Sequence, residues 1–209
     1  MSENTDRIRQ CRKPLGKEGL VVGNEMNVRH RELWEWGLKH VAISPKNTIL
    51  DVGFGGGMSL ELLSKLAYQG KVYGIDYSHD MTRLAYGLNK ELDNLNLINI
   101  LQGTVDSLPF KNNVFDIVCG FETCYFWPDL EADFKEIYDV LKNNGLLLIV
   151  NEVYDHPLFK KRNDEYAKSG SMQINSPDEY RTMLYNAGYS LVKIHELPEK
   201  NWITLVAIK

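Results

Sequence analysis

Two hydrophobic rhythms alternate along this chain. Short apolar runs read as buried strands at Thr48–Val52, Lys71–Asp76, residues 97–103, Phe115–Phe121 and residues 146–152. Between them, apolar residues return every three or four positions, as one face of a helix does. Leu60, Leu63 and Ala67 follow the first strand; Met81, Leu84, Ala85 and Leu88 follow the second. Leu130, Phe134, Ile137, Tyr138 and Leu141 follow the fourth, with Asn144-Gly145 as the expected left-handed stop. Ahead of the first strand, residues 24–41 place Met26, Leu33 and Gly37 on one helical side, with Trp34 and Trp36 nearby.

The rhythm changes after the fifth strand. Residues 154–175 are polar without a clear period and read as an insertion, with 153–175 a candidate lid. Ser176-Pro177-Asp178-Glu179 has the form of a capping box with proline at the first helical position. Tyr180, Met183, Leu184 and Ala187 continue that helix to Gly188, and residues 189–196 and Trp202–Ile208 then read as an antiparallel hairpin. Strands alternating with helices predict an α/β domain: a Rossmann-like, seven-stranded, mostly parallel sheet with helices on both faces and a C-terminal antiparallel hairpin. Residues 24–209 form one domain in this reading, behind a mobile polar head over residues 1–23 that lacks periodicity.

The chemistry concentrates where the first strand ends. Asp51-Val52-Gly53-Phe54-Gly55-Gly56-Gly57-Met58 runs from strand into helix. Glycine admits positive φ and, lacking Cβ, lets a ligand approach the backbone. The helix start adds unpaired N–H groups. A P-loop needs Gly-Lys-Ser/Thr, and Gly57-Met58-Ser59 stands here instead. A dinucleotide fingerprint needs glycine where Met58 sits, which disfavours an NAD(P)-dependent Rossmann oxidoreductase. Acid-x-Gly-x-Gly-x-Gly does fit, as Asp51, Gly53, Gly55 and Gly57. The second strand ends in Asp76, at the distance where a carboxylate accepts both hydroxyls of a ribose. Ser78 is placed to cap the next helix.

Composition narrows the field. A formal charge of −4 argues against a broad nucleic-acid-binding face, and no apolar run is long enough to span a bilayer. The polar N-terminus gives no secretory signal, so a cytoplasmic setting is expected. Arg7, Arg9, Arg12, Lys13 and Lys17 make a basic head, read first as solvated and second as a substrate-steering arm. Cys11, Cys119 and Cys124 are too scattered for a disulfide framework; Cys119 is expected in the core and Cys124 near a pocket. No Cys-x-x-Cys or His-x-x-x-His pair exists, so no metal is expected.

The acid-glycine pattern resembles motif I of the class I S-adenosylmethionine (SAM) methyltransferases. Other segments resemble the ubiquinone/menaquinone-biosynthesis-type (methyltransferase type 11) branch: Gln102-Gly103-Thr104-Val105 with Ser107-Leu108-Pro109-Phe110, then Asn112 to Val118, then Leu141-Lys142-Asn143-Asn144-Gly145-Leu146 beside the branch's LKPGG turn. The likeness covers residues 24–209. It implies methyl transfer from SAM, leaving S-adenosylhomocysteine, to a small-molecule acceptor, by a monomer or homodimer. The expected cofactor surface is Asp51, Gly53, Phe54, Gly55 and Gly57 on the first loop; Asp76, Tyr77 and Met81 on the second; Gly103, Thr104 and Val105 on the third; and Phe121. Two positions depart from the pattern: Thr104 replaces the aspartate that accepts the adenine amino group, and Phe54 replaces a small residue.

Methyl transfer needs orientation and a water-poor site more than an acid–base group, so no residue is singled out as catalytic. Acceptor-site candidates follow the fourth and fifth strands: Glu122, Tyr125 and Trp127, with Phe126 between the aromatics, then Glu152, Tyr154 and His156. Among the histidines His30, His79, His156 and His195, His156 is the preferred acceptor contact and His79 the one nearest the cofactor. The competing reading is a non-catalytic SAM-binding or partner-binding protein on the same fold. A thiolate-dependent arsenic-type activity is disfavoured by the poor cysteine set.

Overall fold

The computed structural model describes residues 10–12 and 14–209. Seven strands form one sheet, β1 Thr48–Val52, β2 Lys71–Asp76, β3 Ile98–Gln102, β4 Phe115–Phe121, β5 Leu141–Asn151, β6 Leu191–Leu197 and β7 Trp202–Ile208, in the order β3-β2-β1-β4-β5-β7-β6. β3 through β5 are parallel, and β7 runs antiparallel between β5 and β6. This is the predicted sheet, including the closing hairpin.

The parallel strands bury both faces because helices cover each side. Neighbours in sequence go to opposite faces: Leu50 joins a core with Phe115, Phe134 and Leu205, whereas Ile49 joins one with Leu33, Leu60 and Val206. The helices are α1 Gly16–Arg29, α2 Arg31–Leu38, α3 Met58–Leu66, α4 His79–Leu88, α5 Lys90–Asn94, α6 Leu130–Val140, α7 Lys160–Gly170 and α8 Pro177–Asn186. The capping box on α8 is formed in full, and Ser78 accepts from the Met81 amide at the start of α4.

Three boundaries differ from the sequence reading. Helix already appears at residues 10–12 and again from Gly16, inside the stretch expected to lack periodicity, and breaks at His30 between α1 and α2. The run after β4 leaves its helix at Val140; Leu141 already pairs with Phe115, and β5 absorbs an irregularity in which Asn144 takes φ 63°. The polar 154–175 segment contains α7, a helix of low overall hydropathy whose apolar face is too thin to show as a period. Arg7, Arg9 and Lys13 lie outside the described residues, as does the head over residues 1–9.

Candidate functional site

Strand order reverses between β1 and β4, so their following segments diverge to opposite faces and leave a crevice at the carboxyl edge. A cavity of about 270 Å³ fills it. The loop glycines serve three different purposes there. A Cβ on Gly53 (φ 79°) would stand 2.2 Å from the Thr123 hydroxyl, so this glycine lets the β1 and β4 loops meet. A Cβ on Gly57 (φ 87°) would lie 2.5 Å from the Ala85 Cβ, so this one seats α3 against α4. A Cβ on Gly55 (φ 53°) would meet nothing within 4 Å and is open to the cavity. Of the three, only the last leaves open space where its Cβ would stand.

Gly53, Phe54 and Gly55 line the cavity, as do Asp76, Tyr77 and Met81 from the β2 side. Gly103, Thr104 and Val105 line it after β3, and Phe121 at the end of β4. Asp51 and Gly57 do not. Asp51 is fully buried beneath the loop and accepts from the Ser59 hydroxyl at 2.5 Å. Burial pushes its pKa up to about 7, with the Ser59 bond opposing and Asp76 adding to the rise. The strand pattern marked Asp51 as functional by type, but side-chain alternation turns it away from the crevice.

Asp76 lies at the rim of that crevice. Its two oxygens accept the Gly55 amide at 2.9 Å and the Ser78 amide at 2.8 Å, which ties the glycine loop to the next helix start. Burial raises its pKa to about 6 despite these bonds. Asp106, which the Thr104 substitution brings into question, is exposed and also reaches the cavity wall.

The chain ahead of α1 contributes a wall that periodicity did not announce. Cys11, Arg12 and Pro14 line the cavity. The Tyr77 hydroxyl donates to the Arg12 carbonyl, Ser78 Oγ donates to the Pro14 carbonyl at 3.1 Å, and the Gly16 amide donates to Asp80 at 2.8 Å. Backbone carbonyls and a backbone amide bind these side chains, so no residue type in the sequence signals the contact. Trp34 from α2 completes the wall, its ring 5.8 Å from Phe121. Trp36 points elsewhere, against Trp202 and His40.

A second chamber of about 110 Å³ adjoins the first, and Glu122, His30 and Phe126 border both. Glu122 follows β4 with φ 59°, a left-handed backbone that costs a non-glycine residue roughly 1 kcal/mol or more. Its side chain is 7% exposed, accepts from the Tyr125 hydroxyl at 3.0 Å, and accepts from the Glu152 amide. His30, at the break between α1 and α2, brings Nε2 to 3.8 Å from Glu122 and 3.5 Å from Glu152. Arg29 pairs with Glu152 at 2.5 Å and donates to His30 Nε2 at 3.1 Å. Burial pushes Glu122 well above the usual carboxylate range, and the Glu152 charge adds to the rise. Burial would raise Glu152 as well, but His30, Arg29 and Arg162 hold it below its ordinary value.

Among the candidates after β4 and β5, Glu122, Tyr125 and Glu152 meet in this chamber, and Trp127 lines the larger cavity. Tyr154 and His156 border neither. Tyr154 is fully buried, and His156 Nδ1 accepts from the Leu158 amide, capping a short 3₁₀ turn. His79 starts α4 beside Gln102, away from the cavity, and His195 stacks on His40 at 3.9 Å. His30 is the histidine at the site. Cys124 is buried under an Asn151 hydrogen bond and lines neither cavity. The His30, Glu122 and Glu152 donor atoms lie within 4.8 Å of one another, a cluster assembled from three segments that no local spacing reveals. The Arg29 guanidinium stands beside them, pairing with Glu152 and donating to His30.

Residues 50–149 match the family model described as a methyltransferase domain. The demethylmenaquinone methyltransferase of Lactococcus lactis is 26% identical over 192 residues, covering 88% of this chain and 76% of the relative. A SAM-dependent methyltransferase from Aquifex aeolicus superposes with a TM-score of 0.72 at 20% identity, over 99% of both chains. A chain of the Haloferax volcanii complex that contains the Trm112 methyltransferase activator superposes with a TM-score of 0.80 at 20% identity, over 89% of this chain and 92% of that one. Among the described residues, no helix is long and apolar enough to cross a membrane.

Proposed function

We propose that this chain, which matches a methyltransferase domain over residues 50–149 and resembles the class I SAM-dependent enzymes of the ubiquinone/menaquinone type, moves a methyl group from SAM to a small-molecule acceptor by in-line displacement. The larger cavity carries the reading. It combines an open Gly55, a rim carboxylate at Asp76 and apolar walls at the switch point of the sheet. These features fit SAM: Asp76 retains lone pairs for the ribose hydroxyls, and the bare Gly55 leaves room for the methionyl tail. Thr104 and Asp106 supply acceptors for the adenine amino group, on the wall where the family carries its aspartate. When bound, SAM supplies an electrophilic methyl group on a sulfonium.

The chain's own contribution is orientation and exclusion of water. Trp34, Phe121, Phe126 and Trp127 make an aromatic wall that favours a positive sulfur and keeps the path dry. The backbone wall at Arg12 and Pro14 closes the other side. Titration calorimetry with S-adenosylhomocysteine, followed by transfer from methyl-labelled SAM to a metabolite panel, tests the function. Binding with labelled product is expected. No binding, or binding of NAD(P)H in its place, rejects it, and tight binding without turnover on any acceptor leaves a SAM-binding protein.

A further inference from the structure

We propose that the 110 Å³ chamber holds a small primary or secondary amine as the methyl acceptor, its ammonium seated between Glu122 and Glu152, with Glu122 taking its proton. The proposal rests on the methyl-transfer reading above and deepens it.

The lining gives the class. Hydrogen-bond capacity comes first. The Tyr125 hydroxyl proton and the Glu152 amide are both spent on Glu122, and Arg29 donates to Glu152 and His30. At the two glutamates, what remains to offer a ligand is acceptor capacity: carboxylate lone pairs, with the Tyr125 oxygen beside them. An ammonium has only donors to give, and these oxygens accept them. Charge comes second. Glu122 and Glu152 turn two carboxyl groups on one chamber, and a cation between them relieves the mutual repulsion that adds to the rise at Glu122. Shape comes third. Tyr125, Phe126 and Tyr166 wall the same space, and aromatic faces beside carboxylates attract cations. Arg29, 58% exposed on its side chain, shows where such a cation sits and is free to yield the place.

The left-handed backbone at Glu122 fits this role, since strain of that kind concentrates where a side chain must be aimed. Burial disfavours the ionised form of Glu122 in the empty chamber, where Arg29, His30, Glu152, Tyr125, Cys11, Tyr166 and Arg162 surround the pair. An ammonium seated between the glutamates favours the carboxylate, and the proton that Glu122 gives up goes to solvent. Within the complex the nitrogen passes one proton to the Glu122 carboxylate, freeing its lone pair. The nitrogen then forms a bond to the methyl carbon as the carbon–sulfur bond breaks, its electron pair staying on sulfur. The product is the N-methylated ammonium, and the proton on Glu122 leaves when the product does.

The test uses the full chain saturated with S-adenosylhomocysteine and titrated with benzylamine, ethanolamine and their N-methyl forms, against benzyl alcohol and ethylene glycol. Calorimetry at pH 7 in buffers of different ionisation heat counts released protons. The amines are expected to bind at least tenfold tighter than their alcohol counterparts and to release about one proton. Glu122→Gln is expected to abolish the release and the preference. Equal binding of alcohols and amines, no amine binding, or an unchanged proton count in Glu122→Gln overturns the proposal. So does tight Mn²⁺ binding that amines do not displace, which assigns the cluster to a metal. Failure of S-adenosylhomocysteine itself to bind refutes the methyl-transfer reading, and the amine with it. The wild-type comparison of amine with alcohol decides the matter even if the variant misfolds.

Discussion

Replacing Asp76 with alanine separates binding from folding. Asp76 is 6% exposed, and burial lifts its pKa from 3.8 to about 6, so keeping it ionised costs the folded chain about 3 kcal/mol. That figure already includes the two backbone amides that bond the carboxylate, at 2.8 and 2.9 Å, which hold the pKa below where burial alone would put it. Removing the carboxylate forfeits the bonds and the penalty together, so the melt is expected to move by less than about 3 kcal/mol in either direction. The ligand has no such compensation. Losing an acceptor for the ribose hydroxyls weakens S-adenosylhomocysteine by ~1.5–3 kcal/mol, or roughly 10- to 150-fold in Kd. Calorimetric titration at pH 7.5 reads the affinity, and a thermal melt the stability. The pH response adds a sign. The folded pKa exceeds the unfolded one, so the destabilisation is absent below about pH 4, grows as pH rises, and is complete above about pH 6. Affinity for S-adenosylhomocysteine is expected to fall as pH drops through about 6, and the alanine variant is expected to lack that slope. Unchanged affinity in Asp76→Ala, with the protein folded, refutes the ribose role outright.

Gly55→Val and Gly57→Ala are expected to fail in opposite ways. The first keeps its melt within about 1–2 kcal/mol of the parent, the strain of a side chain at positive φ, but loses S-adenosylhomocysteine binding by more than about 100-fold. The second drives a methyl into Ala85 and loses about 2–4 kcal/mol of stability, while the folded fraction keeps its affinity within about threefold. Matching losses of binding in the two variants contradict the division of labour in the loop. Thr104→Asp is expected to tighten S-adenosylhomocysteine about fivefold, or ~1 kcal/mol, by supplying a charged acceptor to the adenine amino group; a weaker complex places the adenine elsewhere.

The sheet was legible because buried parallel strands and amphipathic helices write their periods plainly, and Gly188 (φ 107°) stops α8 where its type predicts. The loop was legible as a glycine pattern, yet the pattern was silent on which glycine faces a ligand. Gly57 and Gly55 are the same residue two positions apart, and only the neighbours of the absent Cβ tell them apart. Asp51 misled because its type suggests chemistry while its position in β1 turns it under the loop. The second chamber was half legible: Glu122, Tyr125 and Glu152 follow strand ends, where sites form. His30 and Arg29 come from a helix break more than 90 positions earlier, and nothing local joins them to Glu122. His156 was favoured for lying in a polar segment, but it caps a 3₁₀ turn there, and Tyr166 and Met172 are the residues of that segment that reach the second chamber.

The two chambers follow from one topological fact. β1 and β4 are neighbours in the sheet, and their outgoing segments part at the carboxyl edge. Gly53 lets Thr123 pack against the first loop, which fixes the β4 loop at the crevice. The residue just before Thr123 is then aimed by that contact and by its own left-handed backbone at the boundary between the cavities. A glutamate there borders both chambers, so in the proposed function one side chain faces the methyl donor on one side and the acceptor on the other. Loosening the Gly53–Thr123 contact therefore disturbs both chambers at once, whereas a change at Arg29, which touches only the outer chamber, disturbs acceptor binding alone.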